Sequence, residues 1–468
     1  MHWRPSREIL KSPLAGWFLF AFFVQVLFIT PVGTNPAARW ATLCAMAEDH
    51  SFEIDPYLEH TIDWSRGPNT HYYSNKPPGP ALVGFPVFWV LDTLQTRGIA
   101  NRDARDQTRY LWRGVNLRLL SFLFQILPFF FLVALWIGRL ERLDLSNRAI
   151  MASAVALLFG TTSTIFLNSY FGHGMTAVFA LGLIYALSEK SVFWTAFFFG
   201  MALLCDYTSS LLLVPLTPLW GRSLWRSPRK LYWLWRFVAG AALPGALWIW
   251  YHTVCFGSPF ATSGSFLNPL FVEASDAGRF LGIFSLPDRH VIFELALGAK
   301  RGLLFTQPWV LFFLAAVWML PTAQPGVLPN PRKQWVHFAV LSFSLLFLLV
   351  SSFNGWHGGN TAGPRYLTAG LVLCAAALGL LWDSLSGEWE KRFWWLLGVS
   401  AFLQIVFLSV YQGMPGPEET LWGYYRRQIL GDHGGTPISR LAVGVPILIF
   451  LLYRTRPKNP SFSKKPAR

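Results

Sequence analysis

Apolar segments recur along almost the whole chain and are separated by short polar connections. A helix needs about 20 residues to cross the hydrocarbon core of a bilayer, and the first segment, from Leu14 to Val32, meets that length. Twelve segments are of this kind: 14–32, 78–95, 114–137, 149–167, 174–188, 193–219, 237–256, 303–320, 336–353, 366–382, 394–411 and 439–453. The pattern predicts an all-α integral membrane protein with a bundle of about twelve transmembrane helices.

Lys and Arg residues concentrate in alternate connections between these segments. Cytoplasmic loops of membrane proteins carry an excess of basic residues, and an even number of spans places all the basic stretches on one side. They are the N-terminus with Arg4, Arg7 and Lys11, the loops 96–113, 220–236, 321–335 and 384–393, and the tail 454–468. We therefore expect a multi-pass membrane protein with both termini in the cytoplasm.

The remaining connections are the longer ones, and they contain most of the unusual polar residues. We expect one polytopic membrane domain over residues 1–453, followed by a basic cytoplasmic tail over 454–468. The outer loops of that domain are 33–77, 257–302, 354–365 and 412–438. This division places the chemistry on the side away from the cytoplasm.

Composition agrees with a membrane protein. Of 468 residues, 53% are hydrophobic and 13% are charged, whereas a soluble domain carries roughly 25% charged residues. The net charge of +15 is explained by the basic cytoplasmic side, so no nucleic-acid partner is expected. No phosphate-binding Gly loop, dinucleotide fingerprint or cluster with metal-ligand spacing is present in the sequence, so neither a cofactor nor a metal is expected.

The first outer loop has an unusual concentration of acidic and aromatic residues. Residues 40–47 have helical character and suit the membrane interface. Several acids follow, among them Glu48, Asp49, Asp55 and Asp63. A polar run with His71, Tyr72, Tyr73 and Lys76 then leads into the Pro77–Pro78–Gly79 turn. A lysine at a membrane boundary either extends toward lipid phosphates or holds the phosphate of a lipid-linked substrate.

A second polar run, FNGWHGGNTAGPRYL at 353–367, lies between two apolar segments. Its glycines allow backbone to approach a ligand closely, and the guanidinium of Arg365 suits bidentate phosphate binding. The alternative is an anchoring arginine within an interfacial aromatic belt formed by Trp356 and Tyr366. The composition of the segment favours neither interpretation.

Two polar residues fall within or between the apolar segments themselves. Asp206 lies inside a predicted span, where a charge is costly and commonly functional; the alternative is a hydrogen bond to a polar residue of a neighbouring helix. His173 lies in a tight turn between two spans, where a single histidine is more often structural than a ligand.

Several motifs, in order, resemble one known family. An Arg-aromatic pair at 39–40 is followed by HYYSNKPPGPAL, an aromatic-Gly-His turn, RGLLF, and W-x-GG-x-x-x-GPRYL. Over residues about 14–380 the chain resembles bacterial polyprenyl-phosphate-dependent glycosyltransferases of the GT-C fold, similar to glycosyltransferase family 39. That group includes the protein O-mannosyltransferases and the lipid A aminoarabinose transferase.

The resemblance implies a GT-C-like bundle with a helical first outer loop. It also implies transfer of a hexosyl or pentosyl group from a polyprenyl-phosphate carrier to a lipid, glycan or protein acceptor outside the cytoplasm. In the family an acid near the end of the first span acts as base, and basic residues hold the carrier phosphate. The Asp-Glu pair that usually precedes the matched Arg39 is replaced here by Pro36 and Ala37, so either another acid serves or transferase activity has been lost.

The resulting candidates fall into three groups. The candidate catalytic acids are Asp63 and Asp55. The candidate phosphate-binding residues are Arg39, Lys76 and Arg365. The candidate substrate-lining residues are Glu48, His71, Tyr72, Tyr73, His173, Trp356 and Tyr366. The competing functions are a lipid or small-molecule transporter or flippase, a polymerase or ligase of surface glycans, and a non-catalytic relative of the transferases.

Overall fold

The computed structural model describes residues 14–28, 33–225, 227–272, 284–323, 330–361, 363–385, 387–410 and 419–430. The predicted span at 439–453, the tail 454–468 and most of the loop 412–438 lie outside these ranges. The helices are α1 (Leu14–Leu27), α2 (Thr34–Glu48), α3 (Gly79–Gln95), α4 (Arg102–Ser121), α5 (Leu127–Glu141), α6 (Asn147–Phe159), α7 (Ser163–Phe166), α8 (Gly172–Ser188), α9 (Val192–Cys205), α10 (Leu213–Trp225), α11 (Lys230–Phe256), α12 (Arg289–Leu297), α13 (Leu303–Thr306), α14 (Pro308–Ala323), α15 (Asn330–Ser351), α16 (Thr368–Trp382), α17 (Gly387–Val410) and α18 (Leu421–Leu430).

Extended structure is confined, within the described residues, to one short hairpin and two isolated bridges. The strands β1 (Trp64–Arg66) and β2 (Tyr72–Ser74) pair antiparallel. Short 3-10 turns cover 55–60, 207–212, 263–266, 269–271 and 365–367. The predicted all-α class is therefore confirmed, and the first loop of the chain contains the helix α2 and the 3-10 turn at 55–60.

Apolar helices make up the body of the molecule. Four of them in the described ranges are long and apolar enough to cross a membrane without help from a neighbouring segment: Arg102–Glu141, Arg332–Ser351, Arg365–Trp382 and Gly387–Leu408. Shorter apolar helices pack beside them. Every residue of α16 is buried, and a Cβ at Gly379 would lie 2.9 Å from Ser153 Cβ on α6. Small residues at such contacts let membrane helices approach closely, which places α16 at the centre of the bundle.

One arginine marks the end of the bundle at which α1 stops. The guanidinium of Arg118 donates to the carbonyls of Gln25, Val26 and Phe28 at 3.0, 2.7 and 3.0 Å. The last carbonyls of a helix have no partner within it, so Arg118 satisfies groups that α1 leaves open. Because α2 begins a few residues further on, we call this end of the bundle the loop end.

The predicted span at 78–95 is wrong. Arg102, at the start of α4, pairs with Asp49 at 2.9 Å, and Arg109 pairs with Glu48 and with Asp92 of α3, both at 2.7 Å. One ion-pair network thus joins the ends of α2 and α3 to the start of α4. Residues 96–113 therefore lie on the same side as the first loop. The apolar run of α3 packs along α2 instead of crossing the bilayer.

The predicted single span at 193–219 is also wrong. The helix α9 ends at Cys205, and Asp206 adopts extended backbone with φ of −156°. Tyr207 then hydrogen-bonds His252 near the end of α11 at 3.0 Å, while Gly240 earlier in α11 packs against Phe193 at the start of α9. The intervening segment with α10 must therefore return through the bundle. The first correction removes one span, and the second adds one. The number of passes before α11 is therefore the same as the sequence predicted.

Candidate active site

The hairpin of the first loop brings Asp63 and Lys76 together. Trp64 pairs with Ser74, and the amide of Asn75 donates to the carbonyl of Asp63 at 3.1 Å. Since Asp63 immediately precedes β1 and Lys76 closely follows β2, their side chains meet. Lys76 Nζ lies 2.8 Å from Asp63 Oδ1, and the Asp63 side chain is 7% exposed. The hairpin thus builds a buried ion pair at the loop end.

Electrostatics keep this pair charged. Burial opposes ionisation of Asp63, but the charges of Lys76 and Arg365 and a hydrogen bond from Thr34 outweigh it and lower the pKa of Asp63. Burial also lowers the pKa of Lys76, and the attraction of Asp63 offsets this in part. Because each partner supports the charge of the other, we treat both groups as ionised near neutral pH.

Arg39 is buried on α2 beside the start of α8. Its guanidinium donates to the backbone carbonyl of Asn35 at 3.1 Å and to the Asn35 side-chain oxygen, and burial lowers the pKa of Arg39 to about 10. A Cβ at Gly172 would lie 2.7 Å from Arg39 Nη2. The glycine therefore allows the guanidinium to contact the backbone there. Arg39 Nε is buried and has no hydrogen-bond partner in the described part of the chain.

Arg365 lies beneath the glycine-rich loop that precedes α16. Buried Arg301 holds this loop by donating to the carbonyls of His357 at 3.2 Å and Gly359 at 3.0 Å. Gly358 has φ of +70°, and a Cβ there would lie 2.8 Å from Arg365 Nε. That Nε is buried and also lacks a partner within the described residues.

A histidine–aspartate pair lies between these groups. His173 Nδ1 is 2.9 Å from Asp206 Oδ2. Asp206 Oδ1 accepts hydrogen bonds from the Thr208 amide at 3.1 Å and hydroxyl at 2.8 Å. The ring of Tyr366 meets His173 edge-on with centroids 5.4 Å apart, and the Arg365 guanidinium lies over Tyr366 at 4.9 Å from its centroid.

These pieces form one electrostatic cluster built from distant parts of the sequence. The charge of Arg39 acts on Asp63 and Arg365, and the charges of Arg39 and Arg365 act on Lys76. Three cations thus share the site with two carboxylates, Asp63 and Asp206, which leaves one surplus positive charge. Two N–H donors of these cations, Arg39 Nε and Arg365 Nε, are buried and have no partner within the described residues. Such a site suits an anion with several oxygen acceptors.

The structure places the other sequence candidates differently. Glu48 is held by Arg105 and Arg109 at the far end of α2. Asp55 accepts a hydrogen bond from the Tyr72 amide at 3.1 Å and lies 3.5 Å from His71, so it contacts the hairpin outside the cation cluster.

The aromatic candidates divide in the same way. Tyr73 is 1% exposed and packs on Phe256 of α11, and Tyr72 packs edge-on to Trp64. Trp356 contacts His357 in the glycine-rich loop. Among the aromatic and histidine candidates, Tyr366 and His173 are the two that join the cluster with Arg39, Asp63, Lys76 and Arg365.

Sequence reasoning missed two residues that support the site. Arg301 belongs to the RGLLF motif, but its position alone does not show that it would hold the glycine-rich loop. Asn35 lies one helical turn before Arg39, and that i, i+4 spacing is the available signal. Within the described residues no group of three or more His, Cys, Asp or Glu side chains could hold a metal ion.

Comparison with known proteins adds the fold. No protein-family profile and no curated protein matches the sequence. Among solved structures, the chain is similar to ArnT from Cupriavidus metallidurans bound to undecaprenyl phosphate, at 14% identity and a TM-score of 0.51, over 96% of this chain and 73% of that one. It is also similar to the archaeal oligosaccharyltransferase AglB from Archaeoglobus fulgidus in complex with an inhibitory peptide and a dolichol phosphate, at 11% identity and a TM-score of 0.47, over 96% and 55%.

The ArnT similarity confirms the expected fold, an all-α GT-C-like membrane bundle. The protein is therefore an integral membrane protein with several passes. The TM-score of 0.47 with AglB is too low to establish that AglB and this chain share a fold.

The Asp63–Lys76 pair yields a stability prediction. In Lys76→Met, Asp63 loses its partner, and breaking a buried ion pair costs about 3–5 kcal/mol. The lowered pKa of Asp63 means that the pair stabilises the folded chain above the unfolded-state pKa of about 4, and that this contribution disappears as pH falls through the lower folded-state pKa. We expect a large drop in melting temperature at pH 7 and a smaller one well below about pH 4, where Asp63 becomes protonated in the folded wild type.

The control is the double variant Asp63→Asn/Lys76→Met, in which no carboxylate is left unpaired. Its melting temperature at pH 7 should exceed that of Lys76→Met. Equal melting temperatures for the two variants would show that the ion pair is not what Lys76 contributes.

Proposed function

We propose that this protein is a membrane glycosyltransferase that moves a sugar from a polyprenyl-phosphate carrier to an acceptor. The observation that carries the proposal is the convergence of Arg39, Lys76 and Arg365, from three separate segments, on one buried site with a surplus positive charge. Buried cations are costly without anionic partners. Here two carboxylates face three cations, and a phosphate would supply the missing charge.

The donor geometry favours phosphate over a simple counter-ion. Each of the two guanidiniums has a buried Nε–H without a partner among the described residues, and guanidinium groups bind phosphate oxygens through paired N–H donors. Lys76 adds a compact point charge beside them. The shared fold supports the same assignment, because the ArnT structure holds undecaprenyl phosphate. The motif resemblance to family 39 supports transfer as the reaction.

The reaction requires the acceptor oxygen or nitrogen to attack the anomeric carbon while the bond to the carrier phosphate breaks. The electron pair of that bond passes to the phosphate, whose charge Arg39, Lys76 and Arg365 neutralise. Electrostatic stabilisation of this kind is usually the largest catalytic contribution. Of the two candidate acids from the sequence, Asp63 is the one in the cluster, but it could act as base only after releasing Lys76 to the phosphate. Until then its ion pair fixes the position of Lys76.

The proposed placement follows the charge pattern of the basic connections other than 96–113, which lies on the side of the first loop. We infer that the loop end faces away from the cytoplasm of a bacterial inner membrane and that both termini face inward. The proposed division is a membrane domain over 1–453 and a basic tail over 454–468. The acceptor is a lipid, glycan or protein, and the sugar is a hexose or pentose.

Two competing functions predict different features of the structure. A transporter concentrates its polar groups midway along several spans, whereas the cluster described here lies at one end of the bundle, with Asp206 at the point where the chain reverses. A non-catalytic relative is the interpretation favoured by Pro36 and Ala37 in place of the family's acid pair. Such a relative would retain carrier binding without turnover.

The proposal is tested by thermal stabilisation of the detergent-purified protein by undecaprenyl phosphate. A ligand that binds only the folded state adds about 2.7 kcal/mol at a hundred times its dissociation constant. We expect the wild type to be stabilised, and Lys76→Ala and Arg365→Ala to lose most of the shift. The side chain of Arg148 is 75% exposed, so Arg148→Ala is the matched control. This variant should keep the thermal shift of the wild type. No shift in the wild type would contradict the proposal.

A pair of adjacent glycines gives a sharper test of Arg365. Gly358 and Gly359 both have left-handed backbone, with φ of +70° and +65°, so alanine strains both positions similarly. A Cβ at Gly358 meets Arg365 Nε at 2.8 Å, whereas a Cβ at Gly359 has no atom within 4 Å. We expect Gly358→Ala to weaken undecaprenyl phosphate binding about tenfold or more, and Gly359→Ala to change it less than about threefold. Equal losses of affinity would remove Arg365 from the phosphate site.

A further inference from the structure

Beside the proposed phosphate site lies a pair of residues that is not needed to neutralise the phosphate. His173 and Asp206 form a buried pair, 2.9 Å apart, and both residues are 8% exposed. A buried structural histidine normally has partners for both ring nitrogens, one as donor and one as acceptor, whereas His173 has a protein partner at Nδ1 alone among the described residues. Here the partner is itself fixed, because both Thr208 donors hold the other oxygen of Asp206. The arrangement sets the orientation of the imidazole ring.

The pair also sets the tautomer. An ionised carboxylate only accepts hydrogen bonds, so the proton of the neutral imidazole must be on Nδ1. That leaves the lone pair on Nε2, and Nε2 makes no hydrogen bond to any described residue. A carboxylate that fixes the tautomer and stabilises the imidazolium is the way in which a histidine is prepared as a general base.

The position of the ring is equally specific. His173 follows Gly172, whose missing side chain lets the Arg39 guanidinium approach. Its ring contacts Tyr366, over which the Arg365 guanidinium lies. His173 is thus flanked by two of the three residues assigned to the carrier phosphate. The ring therefore lies beside the proposed phosphate site, which is where an acceptor must approach the sugar.

Asp63 is less suited to the same role. Its carboxylate is occupied by Lys76 at 2.8 Å, and its pKa is lowered, so it takes a proton poorly near neutral pH. This residue is better explained as the group that positions Lys76.

We propose that His173 is the catalytic base of the transfer reaction and that Asp206 is its positioning residue; this rests on the function proposed above. The acceptor O–H bond breaks, its proton passes to His173 Nε2, and its oxygen forms the new bond to the anomeric carbon. The bond from that carbon to the carrier phosphate breaks, and its electron pair stays on the phosphate. The imidazolium then releases its proton to water.

The test uses diethyl pyrocarbonate, which modifies neutral imidazole nitrogens, with mass spectrometry of the modified peptides. The exposed His71, with a side chain 47% exposed, reports that the reagent is active. Buried His252 uses both ring nitrogens in hydrogen bonds and is the unreactive control. We expect His173 to react, undecaprenyl phosphate to protect it at least fivefold, and Asp206→Asn to slow its modification several-fold.

Each outcome bears on one of the two proposals. Unmodified His173 beside modified His71 would overturn the base assignment, because an acceptor is larger than the reagent. The base assignment would also fail if bound carrier stabilised the protein but left His173 unprotected. His173→Gln should retain thermal stabilisation by undecaprenyl phosphate; its loss would make His173 part of the phosphate site instead. No stabilisation of the wild type would instead overturn the proposed function, and the role of the pair with it.

Discussion

The site depends on one constraint: three cations are held in a buried place with too few carboxylates to neutralise them. A buried charge without a partner costs several kcal/mol, and the Asp63–Lys76 ion pair, 2.8 Å long, offsets that cost for one of the three cations. Arg39 is held by Asn35, and Arg365 is covered by Gly358. The charge that remains has no partner within the described protein, which is why we propose a phosphate as the ligand of the site.

The first loop supplies the rigidity that such a site needs. The ion pairs of Arg102 and Arg109 fasten the ends of α2 and α3 to α4, and Arg118 fastens α4 to the end of α1. Arg39 on α2 and Lys76 just before α3 are therefore carried by helices fixed to the bundle. A site whose groups are fixed before the ligand arrives loses less free energy to ordering on binding.

The sequence predicted the class of the fold and most members of the cluster. The long apolar segments identified membrane helices, and the motifs singled out Arg39, Lys76, Arg365 and His173 before their proximity was known. The sequence could not distinguish α3 from a transmembrane helix. A helix that packs along α2 and a helix that crosses the bilayer are both apolar. Nor could the sequence show that the chain reverses at Asp206, since the residues on both sides are apolar.

Pairing was the other information that the sequence lacked. Asp63 and Asp55 are two aspartates of the same loop, and the sequence alone does not distinguish their roles. In the structure, the hairpin register brings Asp63 to Lys76, whereas Asp55 accepts a hydrogen bond from the Tyr72 amide. Likewise, His173 and Asp206 are 33 residues apart, and nothing in either segment indicates the other. Long-range partners of this kind follow from the packing of α8 against α9, which a local pattern does not encode.

Recognition of a phosphate on a lipid is the property on which the proposed function rests. The most direct measurement compares binding of undecaprenyl phosphate with binding of undecaprenol, the same chain without the phosphate, to the purified protein. We predict that the phosphate binds at least about a hundredfold more tightly, since guanidinium and ammonium groups desolvated without an anion lose the interactions that the site is built to make. Equal affinity for the two lipids would contradict this, because the cations would then contribute nothing to recognition.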